Sequence, residues 1–171
     1  MMKKLFVGIG LAIALACATP AAWAQSKGGE AFLKKAIEAN LAEIEMGKLA
    51  QQKGTTDSVR SFGKQLEQDH SAANTKAMNL AKEMGMTPPT EPSKKQKADY
   101  DSMSKLSGDK FDAMFVKHMI SGHKKNIKAF QKEAKTSERP AGFANDVLPD
   151  LQKHLDTAQS LQGKSGTTGS R

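Results

Sequence analysis

Apolar residues recur in steps of three and four along four long segments of the chain, the spacing of a helix that buries one face. The segments are residues 30–53, about 57–83, about 109–135 and about 143–162. No segment shows the strict alternation of a half-buried strand, and no hairpin signal occurs between segments. The pattern therefore predicts an all-α protein.

The connections between the segments predict how the helices are arranged. Short turns, "GTTD" and "TSERPAG", join the first helix to the second and the last two to each other. A long Pro-rich connection containing a short helix at 94–106 joins the two pairs. Two helical hairpins linked by one long crossover form a four-helix bundle of the ferritin-like kind. The bundle domain is predicted over residues 28–162, followed by a flexible tail at 163–171.

A polar residue interrupts the apolar stripe of each long helix. His70, His123 and His154 stand in the stripes of the second, third and fourth long helices. The period that buries the apolar residues also turns these side chains inward, so they are predicted on core faces. Glu43 is the corresponding residue of the first helix, whose stripe is Phe32, Ala36, Ala39, Glu43, Met46 and Ala50.

The four polar residues are also predicted to lie at one level of the bundle. In an antiparallel hairpin, two residues equally far from the turn lie side by side. The midpoint between Glu43 and His70 falls in the first turn, and the midpoint between His123 and His154 falls in the second. Each residue is about 13–16 residues from its turn, which is about 20–24 Å at the helical rise. The spacing predicts one polar layer near mid-height.

Burial of three imidazoles and a carboxylate is costly unless the groups satisfy one another. One solution is a divalent cation, since His and Glu are ligands of zinc, iron, copper and manganese. The other is a metal-free hydrogen-bonded network in which Glu43 orients the histidines. His118 falls at the edge of its stripe and is expected at the core boundary. Met119 is expected in the core, although its thioether would suit copper(I).

The first 24 residues have the pattern of a secretory signal peptide, with two lysines, an apolar run and a small-residue cleavage motif at 22–24. Lipidation of Cys17 is the second-ranked alternative, because Ala14 stands where such signals usually have leucine. The mature chain is therefore predicted to be exported to the periplasm, with outer-membrane association as the variant of that prediction. Without Cys17 it contains no cysteine, which excludes disulfides and thiolate metal sites.

The charge of the chain is basic but dispersed. The formal net charge is +8, and removal of Lys3 and Lys4 with the signal lowers it to about +6. Nucleic-acid binding usually requires clustered basic groups and often aromatic stacking, whereas this chain has one tyrosine and one tryptophan. Nucleic acid is therefore not an expected partner. A dispersed basic surface suits peripheral contact with anionic components of the envelope.

Several stretches of the chain resemble a bacterial family called domain of unknown function 4142. They are "AEIEMGKLAQQK" at 42–53, "QDHSAAN" at 68–74, "FDAMFVKHMISGH" at 111–123 and "LPDLQKHLDTAQSL" at 148–161. The resemblance spans essentially the whole mature domain. It implies an exported or outer-membrane protein with a ferritin-like helical bundle, and it implies no established activity.

The chain departs from the di-iron pattern of ferritin-like proteins. Those proteins use a Glu from each of two helices and an E-x-x-H motif from each of the other two. Glu67 and His70 form one such motif, with Glu43 as a first-helix carboxylate. Ile120 and Leu151 occupy the equivalent positions before the other two histidines. A di-iron site is therefore disfavoured, and a single site of three histidines and Glu43, with Glu67 as a further candidate, fits better.

No nucleophile motif, glycine-rich phosphate loop or pair of catalytic carboxylates is present, so function depends on the metal hypothesis. The leading interpretation is a non-enzymatic exported bundle that has a metal-binding or polar-network site at mid-height and serves envelope maintenance or stress handling. One alternative is a metal-dependent, redox-active enzyme of the ferritin-like class. Another is a metal-free structural or partner-binding bundle. Four protein ligands would close the site, whereas an open coordination position would permit chemistry.

Overall fold

Five α-helices make up the part of the chain, residues 27–165, that the computed structural model describes. They are α1 (Lys27–Lys53), α2 (Asp57–Glu83), α3 (Lys94–Ser104), α4 (Gly108–Glu133) and α5 (Pro140–Ser165). Those residues contain no strand, so the prediction of an all-α protein is confirmed. None of the described helices has the length and apolarity needed to cross a bilayer. The predicted signal peptide at 1–24 and tail residues 166–171 lie outside the described residues.

The helices pack as two antiparallel pairs. α1 packs along α2, and α4 packs along α5. Contacts of α2 with α5 and of α1 with α4 join the pairs, and the short α3 lies against α1 and α4. The buried side chains of all five helices form a single core. The last helix buries a continuous stripe at helical spacing that includes His154: Ala144, Val147, Leu151, His154, Ala158 and Leu161.

The predicted stripe of the first helix is partly wrong. Phe32 and Ala39 are only half-buried. The reason is that α1 contacts α2, α3 and α4, so it buries a wider arc than the narrow seam on which a heptad stripe is based. Six buried residues of α1 are absent from the predicted stripe: Gly29, Leu33, Ile37, Asn40, Gly47 and Leu49.

α1 and α2 approach each other closely at a pair of glycines. A Cβ atom added to Gly47 would lie 2.6 Å from the carbonyl oxygen of Gly63, and one added to Gly63 would lie 2.6 Å from the carbonyl oxygen of Gly47. Real Cβ atoms essentially never come so close to another heavy atom. The two helix backbones are therefore in direct contact at this crossing, which lies two turns before His70 along α2.

α5 begins and ends outside its predicted bounds, at Pro140 and Ser165 rather than at about residues 143 and 162. Proline suits the first turn of a helix, because the N–H that it lacks has no helical partner there. A second proline, Pro149, lies inside the helix in its third turn. Pro149 and Asn145, whose carbonyl loses its helical partner, are both exposed, so water is available to that carbonyl.

The turn between α1 and α2 is fixed to the start of α4. The carboxylate of Asp112, which is 7% exposed, accepts hydrogen bonds from the backbone N–H and the hydroxyl of Thr55. On the same side, the Lys53 ammonium donates to the carbonyl oxygens of Ser104 and Leu106, which precede α4. Each hairpin is thereby held to the other at one end of the bundle.

Replacing Asp112 with alanine should lower the free energy of unfolding by about 1–3 kcal/mol, because the Thr55 donors lose a buried charged acceptor. Asp150→Ala, which removes an exposed carboxylate from α5, is the matched control and should change stability by at most about 0.5 kcal/mol. Urea unfolding followed by circular dichroism measures both. Equal midpoints for the two variants would contradict the role assigned to Asp112.

Candidate metal centre

Three histidines from three helices converge in the centre of the bundle. His70 lies on α2, His123 on α4 and His154 on α5. Their exposed fractions are 3%, 0% and 1%. One ring nitrogen of each histidine lies within 4.8 Å of the corresponding nitrogens of the other two. Three of the four residues that helical spacing and level predicted for the polar layer therefore lie together in the structure.

Each imidazole is oriented by a hydrogen bond from one of its ring nitrogens to an oxygen atom. His123 Nδ1 lies 2.9 Å from the carbonyl oxygen of Met119, and His154 Nε2 lies 2.8 Å from Asp69 Oδ2. His70 Nδ1 lies 3.0 Å from Asn40 Oδ1. These oxygens only accept, so in each pair the ring nitrogen carries the hydrogen and donates it.

Those three hydrogen bonds determine which nitrogens are available to a ligand. In a neutral imidazole the second ring nitrogen carries a lone pair and no hydrogen. The available nitrogens are therefore Nε2 of His70, Nε2 of His123 and Nδ1 of His154. Histidines that bind metals characteristically donate their other N–H to a carboxylate or a carbonyl in this way.

Burial keeps the three rings neutral. It lowers the pKa of His123 to about 4, opposed by the hydrogen bond to the Met119 carbonyl. It also lowers the pKa of His70 well below its usual value, with the charges of His123 and His154 acting in the same direction. The pKa of His154 is lowered by burial as well, even though Asp69 opposes the shift. At neutral pH the cluster therefore presents lone pairs.

The lone pairs face one another without a proton between them. His123 Nε2 and His154 Nδ1 are 3.3 Å apart, and His70 Nε2 has no hydrogen-bond partner. A cation bound between the nitrogens would resolve this arrangement. Two nitrogens that each bind zinc at about 2.0–2.1 Å with tetrahedral angles lie about 3.3–3.4 Å apart, which is the separation of this pair.

Glu43 is buried, as predicted, but its oxygens are outside the group of atoms within 4.8 Å of one another. Its side chain is 7% exposed, and Oε2 has no hydrogen-bond partner. Burial raises the pKa of this carboxyl to about 7, opposed by the positive charges that His118 and His154 carry when protonated. Glu43 thus lies within electrostatic range of the cluster. His118 is half-buried at the core boundary, as predicted.

Glu67, the other candidate carboxylate, is directed away from the histidines. Its Oε2 accepts a hydrogen bond of 2.6 Å from the Gln51 side chain, and its Oε1 lies 3.8 Å from Lys48 Nζ. Both partners are on α1, and the Glu67 side chain is 32% exposed. The E-x-x-H spacing therefore does not place Glu67 beside the three ring nitrogens.

Asn40 and Asp69, which orient two of the three rings, were not predicted. A signal for Asn40 exists in the sequence, since it lies three residues before Glu43 and three after the buried Ile37. For Asp69 no comparable signal exists, because it is separated from His154 by 85 positions and lies beside its helix's core stripe. Only the packing of α2 against α5 brings these two side chains together.

A solved structure of similar fold and a matching family profile place this chain among known proteins. No curated protein matches this chain. A crystal structure of a DUF305 fragment from Deinococcus radiodurans is similar to it, with a TM-score of 0.71 over 81% of this chain and 97% of that one. The sequence identity is 13%, so this likeness concerns the fold alone. The profile of the family described as "Domain of unknown function (DUF4142)" matches residues 14–161. The chain therefore belongs to the DUF4142 family.

Proposed function

We propose that this protein binds one transition-metal ion through His70, His123 and His154. The observation that supports the proposal is the set of three ring nitrogens within 4.8 Å of one another, each on a ring whose other nitrogen is engaged by an oxygen. A metal-free network would instead leave the lone pair of His70 Nε2 buried without a donor. Such a group costs about 1–3 kcal/mol, and an ion removes that cost.

The three imidazole ligands restrict which metal ion the site can bind. Three neutral imidazoles suit zinc, copper and iron, whereas manganese prefers carboxylate and water ligands. Among divalent ions bound to nitrogen, copper and zinc bind more tightly than iron or manganese. We therefore rank zinc and copper ahead of iron, with manganese last.

The number of ligands favours a second candidate function, a metal-dependent enzyme. Three histidines leave one tetrahedral position for water, as in catalytic zinc sites, whereas structural sites usually use four protein ligands. A metal would lower the pKa of such a water and make it a nucleophile or base. Turnover would additionally require a substrate to reach a cluster whose histidines are at most 3% exposed, and this is why metal binding without turnover ranks first.

We also propose the cellular setting that the N-terminal sequence suggests. The chain is exported to the periplasm, where its four long helices form a ferritin-like bundle that holds the ion. Its dispersed positive charge supports peripheral contact with anionic envelope components. In that compartment the protein takes part in envelope maintenance or stress handling by keeping a reactive metal bound.

Purified without a histidine tag, the mature protein should contain about one metal ion per chain by elemental analysis. Zinc at one hundred times its dissociation constant should stabilise the fold by about 2.7 kcal/mol. His70→Ala and His123→Ala should lose both effects, since each removes one of three ligands. His118→Ala is the matched control and should retain one ion, because that histidine is outside the cluster.

The absence of bound metal, together with an unchanged melting temperature on addition of zinc, copper or iron, would contradict the proposed function. Loss of the ion from His118→Ala alone would place the site elsewhere.

A further inference from the structure

A cleft of about 610 Å³ opens between α1 and α4. Among its lining residues are exposed Lys35 of α1 and Lys125 of α4, and half-buried Gln96 of α3. Toward the core it is lined by Glu43, His118 and Gly122. The three cluster histidines do not line the cleft, so the cleft and the cluster are separate features of the bundle.

Glu43 forms the inner end of the cleft. Its side chain is 93% buried, since 7% is exposed, and its Oε2 has no hydrogen-bond partner among the described residues. An unpaired carboxylate oxygen at such depth is costly unless something binds it. The cleft therefore leads to an acceptor that lacks its partner.

The wall opposite Glu43 has a gap in its side chains. Gly122, on α4, faces the carboxylate, and a Cβ atom added there would lie 3.6 Å from Glu43 Oε1 and would touch no other atom within 4 Å. That distance is an ordinary van der Waals contact. The glycine is thus not required by close helix packing, and its effect is to leave the space above the carboxylate open.

Two residues of the cleft also lie within electrostatic range of the cluster. Glu43 acts on the pKa of His154, and His118 acts on that of His123. Gly122 directly precedes His123 in α4. The inner end of the cleft therefore lies next to the segment of α4 that carries His123, and the cluster histidines have at most 3% of their own surface exposed to solvent.

We propose that this cleft is the uptake path for a divalent cation and that Glu43 is the carboxylate that first takes the ion from water. The inference rests on the proposed function. The incoming ion is a hydrated divalent cation, and the Glu43 carboxylate replaces one of its water ligands. The three imidazoles then replace further waters and the carboxylate, and the released waters leave through the cleft. Half-buried His118 supplies a second temporary donor along the way.

Filling the gap above Glu43 tests the path while leaving every ligand in place. In Gly122→Leu the new side chain lies over the carboxylate, and in the control Gly142→Leu it lies on a helix surface where an added Cβ meets nothing within 4 Å. Both variants replace a helical glycine with leucine, the better helix former. The measurement is stopped-flow transfer of Zn²⁺ from a chromophoric chelator to the metal-free protein, and the reverse transfer to excess chelator.

Gly122→Leu should slow uptake and release of Zn²⁺ by about tenfold each, since a blocked path raises one barrier for both directions. The dissociation constant should stay within about threefold of the wild-type value, because the end states are unchanged. Gly142→Leu should match the wild type. Glu43→Gln should slow uptake and still bind one ion per chain.

Equal rates of Zn²⁺ uptake and release for Gly122→Leu and Gly142→Leu would overturn the proposal that the cleft is the uptake path. Metal binding by the histidines would be unaffected by that result. Complete loss of Zn²⁺ from Glu43→Gln would make Glu43 a permanent ligand and overturn its role as first acceptor. If Gly122→Leu loses its helical circular dichroism, Gly122→Ala and Glu43→Gln decide the matter, and wild-type uptake rates in both overturn the proposal. Wild-type protein that binds no Zn²⁺ contradicts the proposed function itself.

Discussion

Gly63→Ala should destabilise the protein by about 2 kcal/mol or more, although alanine is normally the better helix former. The added methyl group would lie 2.6 Å from the carbonyl oxygen of Gly47, 2.8 Å from the Ala50 Cβ and 3.1 Å from the backbone nitrogen of Gln51. Two of these three atoms belong to the backbone and cannot turn away as a flexible side chain would. Relief of the overlap therefore requires α1 and α2 to separate, which loosens the core along their length.

Gly142→Ala provides the matched control for Gly63→Ala. Both substitutions add one methyl group to a helix, and at Gly142 that group meets nothing within 4 Å. The control should be as stable as the wild type or more stable by up to about 1 kcal/mol. Chemical denaturation compares the midpoints. Similar midpoints for the two variants would show that the helices can separate at no cost, contrary to the close crossing.

The metal-free protein should lose stability steeply as the pH falls below about 6.5. Burial lowers the pKa of His123 from 6.5 to about 4 in the folded protein. Between pH 6.5 and pH 4 the His123 imidazole is therefore protonated in the unfolded chain and neutral in the folded protein. Stability therefore rises with pH through this window and is lost as pH falls. His123 alone should account for about 2 kcal/mol between pH 7 and pH 5, and His70 and His154 act in the same direction.

Glu43 opposes this acid effect. Its pKa is raised from 4.5 to about 7, so the folded protein binds the extra proton and stability falls as pH rises through that window. Three histidines outweigh one carboxyl, and the acid loss should therefore be steeper in Glu43→Gln than in the wild type. His123→Leu should show a shallower loss. Urea unfolding in the presence of a chelator at pH 5 and pH 7 measures this loss of stability for the wild type and both variants. The same loss in all three proteins would contradict neutral burial of the histidines.

The helices and the histidine cluster were predictable because both depend on periodicity alone. His70, His123 and His154 each stand at the helical spacing of their stripe, and the turn positions place them at one level. Only the position of each Cα atom along its helix enters that prediction. It is insensitive to errors of a residue or two in the turns, since the three side chains are long enough to meet across the bundle centre.

Periodicity cannot decide what a side chain does within its layer. Glu43 has the correct stripe and level, yet it lines the α1–α4 cleft, because α1 faces α3 and α4 as well as α2. Glu67 and Asp69 lie on either side of Gln68 on the same helix, and the structure turns Glu67 toward α1 and Asp69 toward α5. The position of Glu43 in the cleft and the opposite directions of Glu67 and Asp69 both depend on the order in which the helices surround the core. That order is set by packing between distant segments.

The distribution of the three histidines between the two hairpins would give a bound metal a mechanical role. His70 belongs to the first hairpin, whereas His123 and His154 belong to the second. An ion bound to all three is a crosslink between halves of the molecule that the chain itself joins only through the long crossover. Docking of the hairpins and affinity for the ion are then reciprocally linked. Any partner or surface that pulls the hairpins apart would release the metal, and a rise in free metal would close them again.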